Sequence, residues 1–519
     1  MKKIIIGFAA VLTMGLAGCK KSLNIVNPDA VTTQQFWKTA ADAQSGVNAI
    51  YSTFHRTGPC RWYFFATMIR ADEGWSKSGD PNLIANFDQF VVSDYNYGNV
   101  YGGLWTDNYF GVNRANQVLD NVPNINMDAN LKARYIGEAK FLRALFYYHL
   151  ATFFGNVPIL LKSSLPSDKP ETSPQAAVWA QVEKDCADAA AVLPASYTGS
   201  DIGRATKGAA NALMAKAYMQ QRNYQAALAP LQAVIQSGTY ALTANYQDNF
   251  LSTTENNSES VFEYNNALNP NDTHDDDTDV GAEDNLNYGS SIPPFFAPPQ
   301  LGFTDGEARR WPVAEFEQEK TTTGQRDPRL AVTFLFDSTD VRGPNFTQIY
   351  GQTFASRYGT NNVANDNFIW FAKLLDYNNG TSAAPGNFEI FHSPNNYRFI
   401  RYADVLLLYA ECLNATGATS SAYQYVDQVR RRAGLATLSV AKPGLSQDQF
   451  LVQLKHERIT ELTGEGHRWN DLARWGDLGP GLASRDAGFK NFKTGKNEFF
   501  PVPQREIDVN PKLKQNPGY

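Results

Sequence analysis

The sequence predicts a predominantly α-helical protein that is built from antiparallel helix pairs of the tetratricopeptide type and carries a loop-rich elaboration with short strands. Two widely separated stretches place small, aromatic and apolar residues at nearly the same spacing. Between them, residues 241–398 are rich in Asn, Asp, Thr, Gly and Pro and show no long amphipathic period. That composition indicates short strands, turns and small helices, either packed on the helix pairs or folded as a separate subdomain.

Both repeat-like stretches have the residues that let two antiparallel helices approach closely. The positions are Ala215, Tyr218, Tyr224, Ala227, Leu231 and Val234 in the first stretch, and Ala410, Leu413, Gly417, Ala422, Val426 and Val429 in the second. Pro230 lies inside the second helix of the first pair, where the missing backbone N–H predicts a kink. Because two degenerate pairs are too few for a solenoid, the sequence must supply further pairs.

Further helices are predicted on the N-terminal side of the loop-rich region. Apolar residues recur every three or four positions from Leu131 to Phe154, and residues 176–194 supply the partner helix. An earlier pair is predicted from residues 42–54 and 104–120. Helices are therefore expected to dominate the chain on both sides of residues 241–398.

Residues 1–19 have the layout of a bacterial lipoprotein signal. Lys2 and Lys3 precede an apolar run that, at about 1.5 Å per helical residue, is shorter than a hydrocarbon core of about 30 Å. A basic start, a short apolar middle and small residues before a cleavage point are typical of a signal peptide. The stretch LAGC resembles a lipobox, in which the cysteine becomes the first mature residue and carries lipid such as palmitate. We therefore expect residues 1–18 to be removed and Cys19 to be the anchor; the alternative is an ordinary cleavage site.

Charge and cysteine content exclude several protein classes. The formal charge of −6 comes without any basic block, which argues against nucleic acid as a partner. Beyond Cys19, the remaining Cys60, Cys186 and Cys412 are far apart and odd in number, so they form no disulfide framework. Cys186 and Cys412 lie in predicted helices and are expected to be small packing residues.

An aromatic-rich segment between Trp62 and Tyr109 is the first candidate for ligand binding. Sugars are bound by flat aromatic faces, while carboxylates, amides and Arg hydrogen-bond their hydroxyl groups. Trp75 is the strongest single candidate, because the stretch ADEGWSKSGD surrounds it with polar and flexible residues. Asp72 and Glu73 are placed to accept hydroxyl hydrogen bonds, or to cap a helix. The rings of Trp62, Phe64, Phe65 and Trp105 are expected to pack in the core.

No motif indicates an enzyme or a cofactor. His456 begins a stretch that resembles a helical zinc site, but Thr460 occupies the place of the second His. Asp275, Asp277 and Asp279 alternate as calcium ligands do, yet an EF-hand loop would need Gly and Glu where Val280 and Leu286 stand. A solvated acidic loop is the alternative that the composition favours.

Several long motifs, in one order along the chain, resemble the SusD/RagB lipoproteins of the Bacteroidetes outer membrane. They are the lipobox, EAKFLRALFYYHLATFFGNVPIL from Glu138, GRATKGAANALMAKAYMQ from Gly203, RDPRL from Arg326, IRYADVLLLYAEC from Ile400, VRRRAGL from Val429, ERITELTGEGHRWNDLARWG from Glu457, and the ending NPKLKQNPGY. The resemblance implies one SusD-like fold, with a helical N-terminal part (19–240), a loop-rich insertion (241–398) and a helical C-terminal part (399–519).

The resemblance also implies a function. Members of this family are not enzymes; they capture oligosaccharides or other nutrients and pass them to a SusC-like, TonB-dependent outer-membrane transporter. The site is expected on loops of the aromatic segment, with contacts from the insertion. The candidates are Asp72, Glu73, Trp75, Tyr95, Tyr97, Tyr101, Tyr288, Phe296, Arg309 and Trp311.

In this family, acidic residues after the lipidated cysteine usually accompany export to the cell surface, but Lys20 and Lys21 stand there in this sequence. The side of the outer membrane that the anchored protein faces is therefore left open. A protein-binding scaffold without a small ligand is the alternative function.

The last charged segment of the resemblance is expected to serve the fold. Glu457, Glu461, Arg468, Asp471 and Arg474 lie at helical spacings that predict ion pairs within one helix, while Trp469, Leu472 and Trp475 are expected to pack inward. Contact with the transporter is the alternative role.

Overall fold

The computed structural model describes residues 36–165, 167–268, 289–336, 348–349, 352–353, 368–375 and 393–519. The predicted signal peptide and lipid anchor, the possible calcium ligands and Tyr288 lie outside the described residues, as does the side chain of Tyr101.

Helices dominate the described part of the chain, as predicted. Those of eight or more residues with regular α geometry are α1 (Ala40–Tyr51), α2 (Asn108–Asn121), α3 (Ala129–Phe154), α4 (Gln175–Val192), α5 (Lys207–Gln220), α6 (Tyr224–Gln236), α7 (Arg310–Glu317), α8 (Tyr402–Ala415), α9 (Thr419–Arg432), α10 (Gln447–Leu462) and α11 (Arg468–Trp475). Shorter helices are Pro81–Leu83, Pro293–Phe296, Arg329–Thr333, Leu438–Ala441 and Gln504–Val509, and π-helical segments are Gly58–Trp62, Phe65–Ile69, Ile84–Asp88 and Gly98–Asp107. None of the helices in these ranges has both the length and the apolar character needed to span a bilayer.

The described strands are short and form antiparallel two-stranded pairs. They are β1 (Gly74–Trp75), β2 (Ser260–Tyr264), β3 (Glu307–Ala308), β4 (Phe334–Phe336), β5 (Gln348–Ile349), β6 (Gln352–Thr353), β7 (Ile369–Phe371) and β8 (Tyr397–Arg401). β1 pairs with β3, β2 with β8, β4 with β7 and β5 with β6. The predicted mixture of short strands and small helices in the loop-rich region is confirmed for its described residues.

The two predicted helix pairs are α5–α6 and α8–α9, and α6 also packs against α8. α5 begins where the Thr206 hydroxyl accepts the backbone N–H of Ala209 at 3.1 Å. Gly417, with φ of 85°, provides the left-handed backbone that turns the chain from α8 into α9. α6 continues past Pro230 to Gln236, and the kink there stays a prediction. Cys186 and Cys412 are buried within α4 and α8, which confirms their packing role.

An aromatic stack joins the helices to the β2–β8 pair. The Phe54 ring stacks on Tyr264 with centroids 4.1 Å apart, and Tyr264 stacks on Phe399 at 5.5 Å. His149 of α3 lies beside this stack, with its ring nitrogens hydrogen-bonded to Asn108 Oδ1 at 3.1 Å and the Tyr264 hydroxyl at 3.2 Å. The stack therefore packs the β2–β8 pair against α3 and the turn after α1.

Besides the apolar core, a group of buried charged side chains joins the loop-rich region to the C-terminal helices. We call this group the buried ion cluster; its members are Glu259, Asp327, Arg329, Lys373, Arg401, Arg432, Glu461 and Glu465, with side chains at most 4% exposed. Arg401 binds Glu465 at 2.7 Å, Glu461 at 3.1 Å and Glu259. These contacts link β8, α10 and the segment before β2 into one body.

The prediction that the charges of residues 457–475 pair within one helix is wrong in most respects. The chain leaves the helix at Leu462 and starts α11 at Arg468, with Gly464 and Gly466 at φ of 83° and 72° between them. The helical-spacing pair Asp471–Arg474 forms at 2.9 Å, but Glu461 and Arg468 bind partners on other elements. Trp469 and Leu472 are buried as expected, whereas Trp475 is partly exposed.

Candidate functional site

The β1–β3 pair brings the predicted Trp75 segment against the loop-rich insertion. Gly74 lies opposite Ala308 and Trp75 opposite Glu307, and the Arg309 N–H donates to the Glu73 carbonyl at 2.8 Å. Position 74 favours glycine because a Cβ there would lie 2.9 Å from the Met68 carbonyl. Two segments that are distant in sequence therefore form one surface.

The Trp75 ring on this surface is contacted by two cations. Its centroid lies 5.1 Å from Lys77 Nζ and 5.0 Å from Arg309 Cζ, both within the range of a cation–π interaction. The ring is partly exposed, while its buried Nε1 has no hydrogen-bond partner among the described residues. A partly exposed indole beside two cations offers an apolar face next to positive charge.

Trp311 is a second partly exposed indole, at the start of α7. Its Nε1–H donates to the Asp72 carbonyl, which fixes the ring beside β1. Arg485 Cζ lies 4.3 Å and Arg468 Cζ 5.2 Å from the ring centroid. Like Trp75, Trp311 therefore combines a partly exposed ring with positively charged neighbours.

Asp72 and Glu73 lie beneath the surface rather than on it. The Asp72 carboxylate accepts hydrogen bonds from Arg468 at 2.6 and 2.9 Å and from Arg485 at 3.2 Å. Although burial alone would raise it, the two guanidinium groups hold the pKa of Asp72 below its usual value. Burial raises the pKa of Glu73 to about 8, and Glu73 Oε1 has no hydrogen-bond partner among the described residues.

Arg309 is held by two buried carboxyl groups. Its Nη2 lies 2.9 Å from Asp486 and 3.4 Å from Asp88, and its side chain is 13% exposed. Burial raises the pKa of Asp486 to about 7. Arg309 therefore contacts the buried carboxyl groups of Asp88 and Asp486 as well as the ring of Trp75.

The structure places the remaining candidates elsewhere. Phe296 has no exposed surface and packs on Phe65 with centroids 5.2 Å apart. Tyr97 donates to Asp80, and the Tyr95 ring meets Tyr519 edge-on at 5.6 Å. The rings expected in the core, Trp62, Phe64, Phe65 and Trp105, are buried. The described candidates that meet around the β1–β3 pair are thus Asp72, Glu73, Trp75, Arg309 and Trp311.

Three charged residues of this surface were missed by the sequence-based prediction. Lys77 follows Trp75 by two positions, so strand alternation could have placed it on the same side. Glu307 lies opposite Trp75, and Lys77 Nζ binds it at 3.4 Å. Arg485 is 413 positions from Asp72 in the sequence, so no local pattern predicts that contact.

A second cluster has the residue types of a metal site. Glu319, His456 and Glu457 offer ligand atoms within 4.8 Å of one another. Arg430 binds both carboxylates, Lys442 binds Glu319 at 3.0 Å, and His456 Nδ1 lies 2.7 Å from Glu315. These ion pairs account for the cluster without a metal ion.

Comparison with family models decides the relationship of this chain to known proteins. The model of the SusD family matches residues 236–519. The chain belongs to the SusD family. A second model, described as starch-binding and associating with the outer membrane, matches residues 34–219, and that description points to outer-membrane association. The SusD/RagB resemblance of the sequence is therefore confirmed.

Individual relatives agree with the family assignment. A SusD-like protein of Formosa agariphila is 28% identical over 439 residues, which cover 80% of this chain and 79% of the relative. A second SusD-like protein of that bacterium is 27% identical over 542 residues, with full coverage of both chains.

Solved structures confirm the predominantly α, SusD-like fold. A SusD superfamily protein from Bacteroides vulgatus is 27% identical, with a TM-score of 0.79 and coverage of 93% of this chain and 100% of that chain. A structure described as a laminarin-binding SusD-like protein is also 27% identical, with a TM-score of 0.73 and the same coverages.

Proposed function

We propose that this SusD-family chain binds an oligosaccharide on the surface formed by Trp75 and Trp311 and delivers it to a SusC-like, TonB-dependent transporter. The observation that carries the proposal is the partly exposed Trp75 ring, which Lys77 and Arg309 both contact. Indole faces pack on the C–H patches of sugar rings, and cationic side chains donate to hydroxyl groups. The laminarin-binding relative supports a glycan as the ligand.

In this proposal, Cys19 carries the lipid that tethers the protein to the outer membrane, and the chain catalyses no reaction. Asp72 and Glu73 support the binding surface from below, because both are buried. Tyr95, Tyr97, Tyr101 and Tyr288 stay candidates for outer contacts. Phe296 is buried and packs closely against the backbone at Gly306, where an added Cβ would lie 2.4 Å from the Phe296 ring. Its part in binding is therefore to position that backbone.

The division of the chain at residues 240 and 398 stays a prediction.

The binding step is tested with the protein begun after Cys19, a glycan array and titration calorimetry. We expect Trp75→Ala to weaken binding of the selected oligosaccharide by about tenfold or more, because a central aromatic contact is removed. Trp37→Ala is the matched control, since Trp37 is also partly buried but packs on α1 at Gly46. If the unmodified protein binds a glycan and Trp75→Ala binds it with the same affinity, the assignment of the binding site to this surface is contradicted.

Delivery and anchoring are tested in the native membrane. We expect the full-length protein to co-purify with a TonB-dependent barrel, and Cys19→Ala to release it from the membrane fraction. Capture of a soluble protein instead, with no glycan bound, would favour the scaffold function. Turnover of a polysaccharide by the purified protein would contradict the non-enzymatic role.

A further inference from the structure

A second pocket lies between the α4–α5 loop, the chain that follows α6 and the segment that leads into β2. It holds about 710 Å³ of space that opens to solvent, and small-molecule sites occupy about 300–1,000 Å³. Its lining includes Tyr197, Ile202, Tyr240, Asn256, Ser258 and Val261. The pocket shares no lining residue with the surface formed by Trp75 and Trp311, so a ligand there would be held by separate contacts.

Two tyrosine rings of this pocket are held in fixed orientations. The Tyr197 hydroxyl donates to the Ala205 carbonyl at 3.1 Å, and the Tyr240 hydroxyl lies 2.7 Å from that of Thr206. Both rings are partly exposed. Because their hydroxyl groups are anchored, the rings are ordered before a ligand arrives, which reduces the entropic cost of packing a sugar C–H face on them.

The segment before β2 adds polar groups to the pocket. Asn256 is fixed by its N–H, which donates to Glu263 Oε1 at 3.1 Å, and by its Nδ2, which donates to Asn265 Oδ1 at 2.8 Å. Ser258 is exposed, and its hydroxyl makes no hydrogen bond within the part of the chain that the structure describes. A hydroxyl group both donates and accepts, so Ser258 can bind a hydroxyl of a ligand in either direction.

The charged residues that line the pocket are Arg204 and Glu263, and both are compensated by protein partners. Arg204 donates to Asp201 at 2.7 Å and to Glu138 at 3.1 Å. Glu263 is buried and pairs with Arg398 at 3.3 Å. The pocket therefore presents aromatic rings, hydroxyl groups and an amide to its ligand, and this combination favours a neutral polyhydroxyl compound over an ion.

We propose that this pocket is a second carbohydrate-binding site, which holds one or two neutral sugar residues against Tyr197 and Tyr240. Hydroxyl groups of the sugar bond to Ser258 and Asn256, while its apolar C–H face packs on a tyrosine ring. The site goes beyond the proposed function, because it does not require binding on the surface formed by Trp75 and Trp311.

The test isolates the pocket by titrating short neutral sugars into the Trp75→Ala variant of the protein begun after Cys19. The probes are maltose, cellobiose, laminaribiose and mannobiose, followed by NMR, with glucuronic acid and glucose as a charged and neutral pair. We expect at least one disaccharide to bind Trp75→Ala and the unmodified protein with the same affinity. Binding should be the same at about 50 and about 300 mM NaCl, because no ion pair is formed.

Variants of the pocket connect this binding to its lining. Ser258→Trp places a large ring in the pocket without removing a side-chain contact, and Tyr197→Ala removes an aromatic wall. Each should weaken disaccharide binding by about tenfold or more. Ser420→Trp is the matched control, since Ser420 is exposed on α9 and lies outside the pocket. Circular dichroism establishes that each variant is folded.

The outcomes separate this site from the proposed function. Loss of disaccharide binding in Ser258→Trp and its retention in Trp75→Ala would support the second site, whether or not a longer oligosaccharide binds at Trp75. Loss in Trp75→Ala and retention in Ser258→Trp would overturn the second site and leave the proposed function standing. Failure of every disaccharide to bind would also overturn it, and tighter binding of glucuronic acid than of glucose would overturn the neutral ligand class.

Discussion

The helix pairs are stabilised by burial of apolar side chains, whereas the buried ion cluster is stabilised by pairing of opposite charges. At the α5–α6 and α8–α9 pairs, small and apolar residues such as Ala215, Leu231 and Val426 are fully buried. Their burial stabilises the fold in proportion to area and requires no single partner. In the cluster, the charge of Arg401 is buried and must be matched by Glu259, Glu461 and Glu465. The loop-rich region, which forms half of the candidate site, thus combines apolar burial with ion pairs that need specific partners.

The largest effect should come from breaking the cluster. Arg401→Met leaves three buried carboxylates without their shared cation, and removal of one partner of a buried ion pair costs about 3–5 kcal/mol. We expect a loss of that size in the free energy of unfolding, measured by urea denaturation. Arg431→Met is the control, since Arg431 is exposed on α9. A loss no larger than that of the control would show that Arg432, Arg329 and Lys373 compensate the three carboxylates without Arg401.

The pH dependence of stability should differ between the aromatic stack beside α3 and the buried ion cluster. His149, beside the aromatic stack, has its pKa lowered by burial to about 3, so the unfolded chain binds more protons between pH 3 and 6.5. Stability should therefore rise as the pH rises through this window. In the cluster, burial alone would raise the pKa of Glu461, but Arg432 and Arg401 lower it from 4.5 to about 2. The Glu461 contribution is therefore complete above about pH 4.5 and is lost as the pH falls to about 2.

The substitution His149→Gln tests this difference because it keeps a polar side chain that cannot ionise. We expect about 2 kcal/mol less change in unfolding free energy between pH 4.5 and pH 6.5 than in the unmodified protein. The measurement is a denaturant titration at both pH values. His55→Gln is the comparison at a second histidine, because burial also lowers the pKa of His55. An unaltered pH profile in His149→Gln would mean that other groups carry the dependence.

Close approach of helices should be sensitive to one added carbon. A Cβ on Gly111 of α2 would lie 2.3 Å from Phe146 of α3. Overpacking costs about 1–3 kcal/mol, partly offset by the higher helix propensity of Ala, worth about 1 kcal/mol. Gly111→Ala should therefore lower the unfolding free energy by about 1 kcal/mol, as measured by thermal and urea denaturation. Gly481→Ala is the control, because a Cβ there meets no atom within 4 Å. Equal effects would exclude tight packing as the cause.

The same contrast explains how much of the molecule the sequence could reveal. The apolar period predicted a helix from Leu131 to Phe154, and α3 runs from Ala129 to Phe154, because helical amphipathicity is a local property. Trp75 could be selected because its neighbours are polar. Arg468 and its partner Asp72 are 396 positions apart, and no spacing rule connects them. Local patterns therefore predicted the helix pairs and selected Trp75 as a candidate, whereas the contacts of Lys77, Arg468 and Arg485 depend on the tertiary structure.

The smallest effect concerns the start of α10, the helix that carries Glu461 into the cluster. The Ser446 hydroxyl accepts the Gln449 N–H at 3.3 Å and the Gln449 side chain accepts the Ser446 N–H at 3.0 Å, which completes a capping box. Ser446→Ala should cost about 1 kcal/mol in unfolding free energy by urea denaturation, and Ser446→Thr should cost less.

The size of this loss bears on what holds α10 in place. The cap lies at the exposed end of α10, whereas Glu457, Arg458 and Glu461 are buried at the other end. If these charges mainly hold α10 in place, Ser446→Ala should lower stability by far less than Arg401→Met. It should also leave the oligosaccharide affinity unchanged. A loss in Ser446→Ala as large as that in Arg401→Met would mean that local helix formation, and not the buried ion cluster, decides the stability of the C-terminal part.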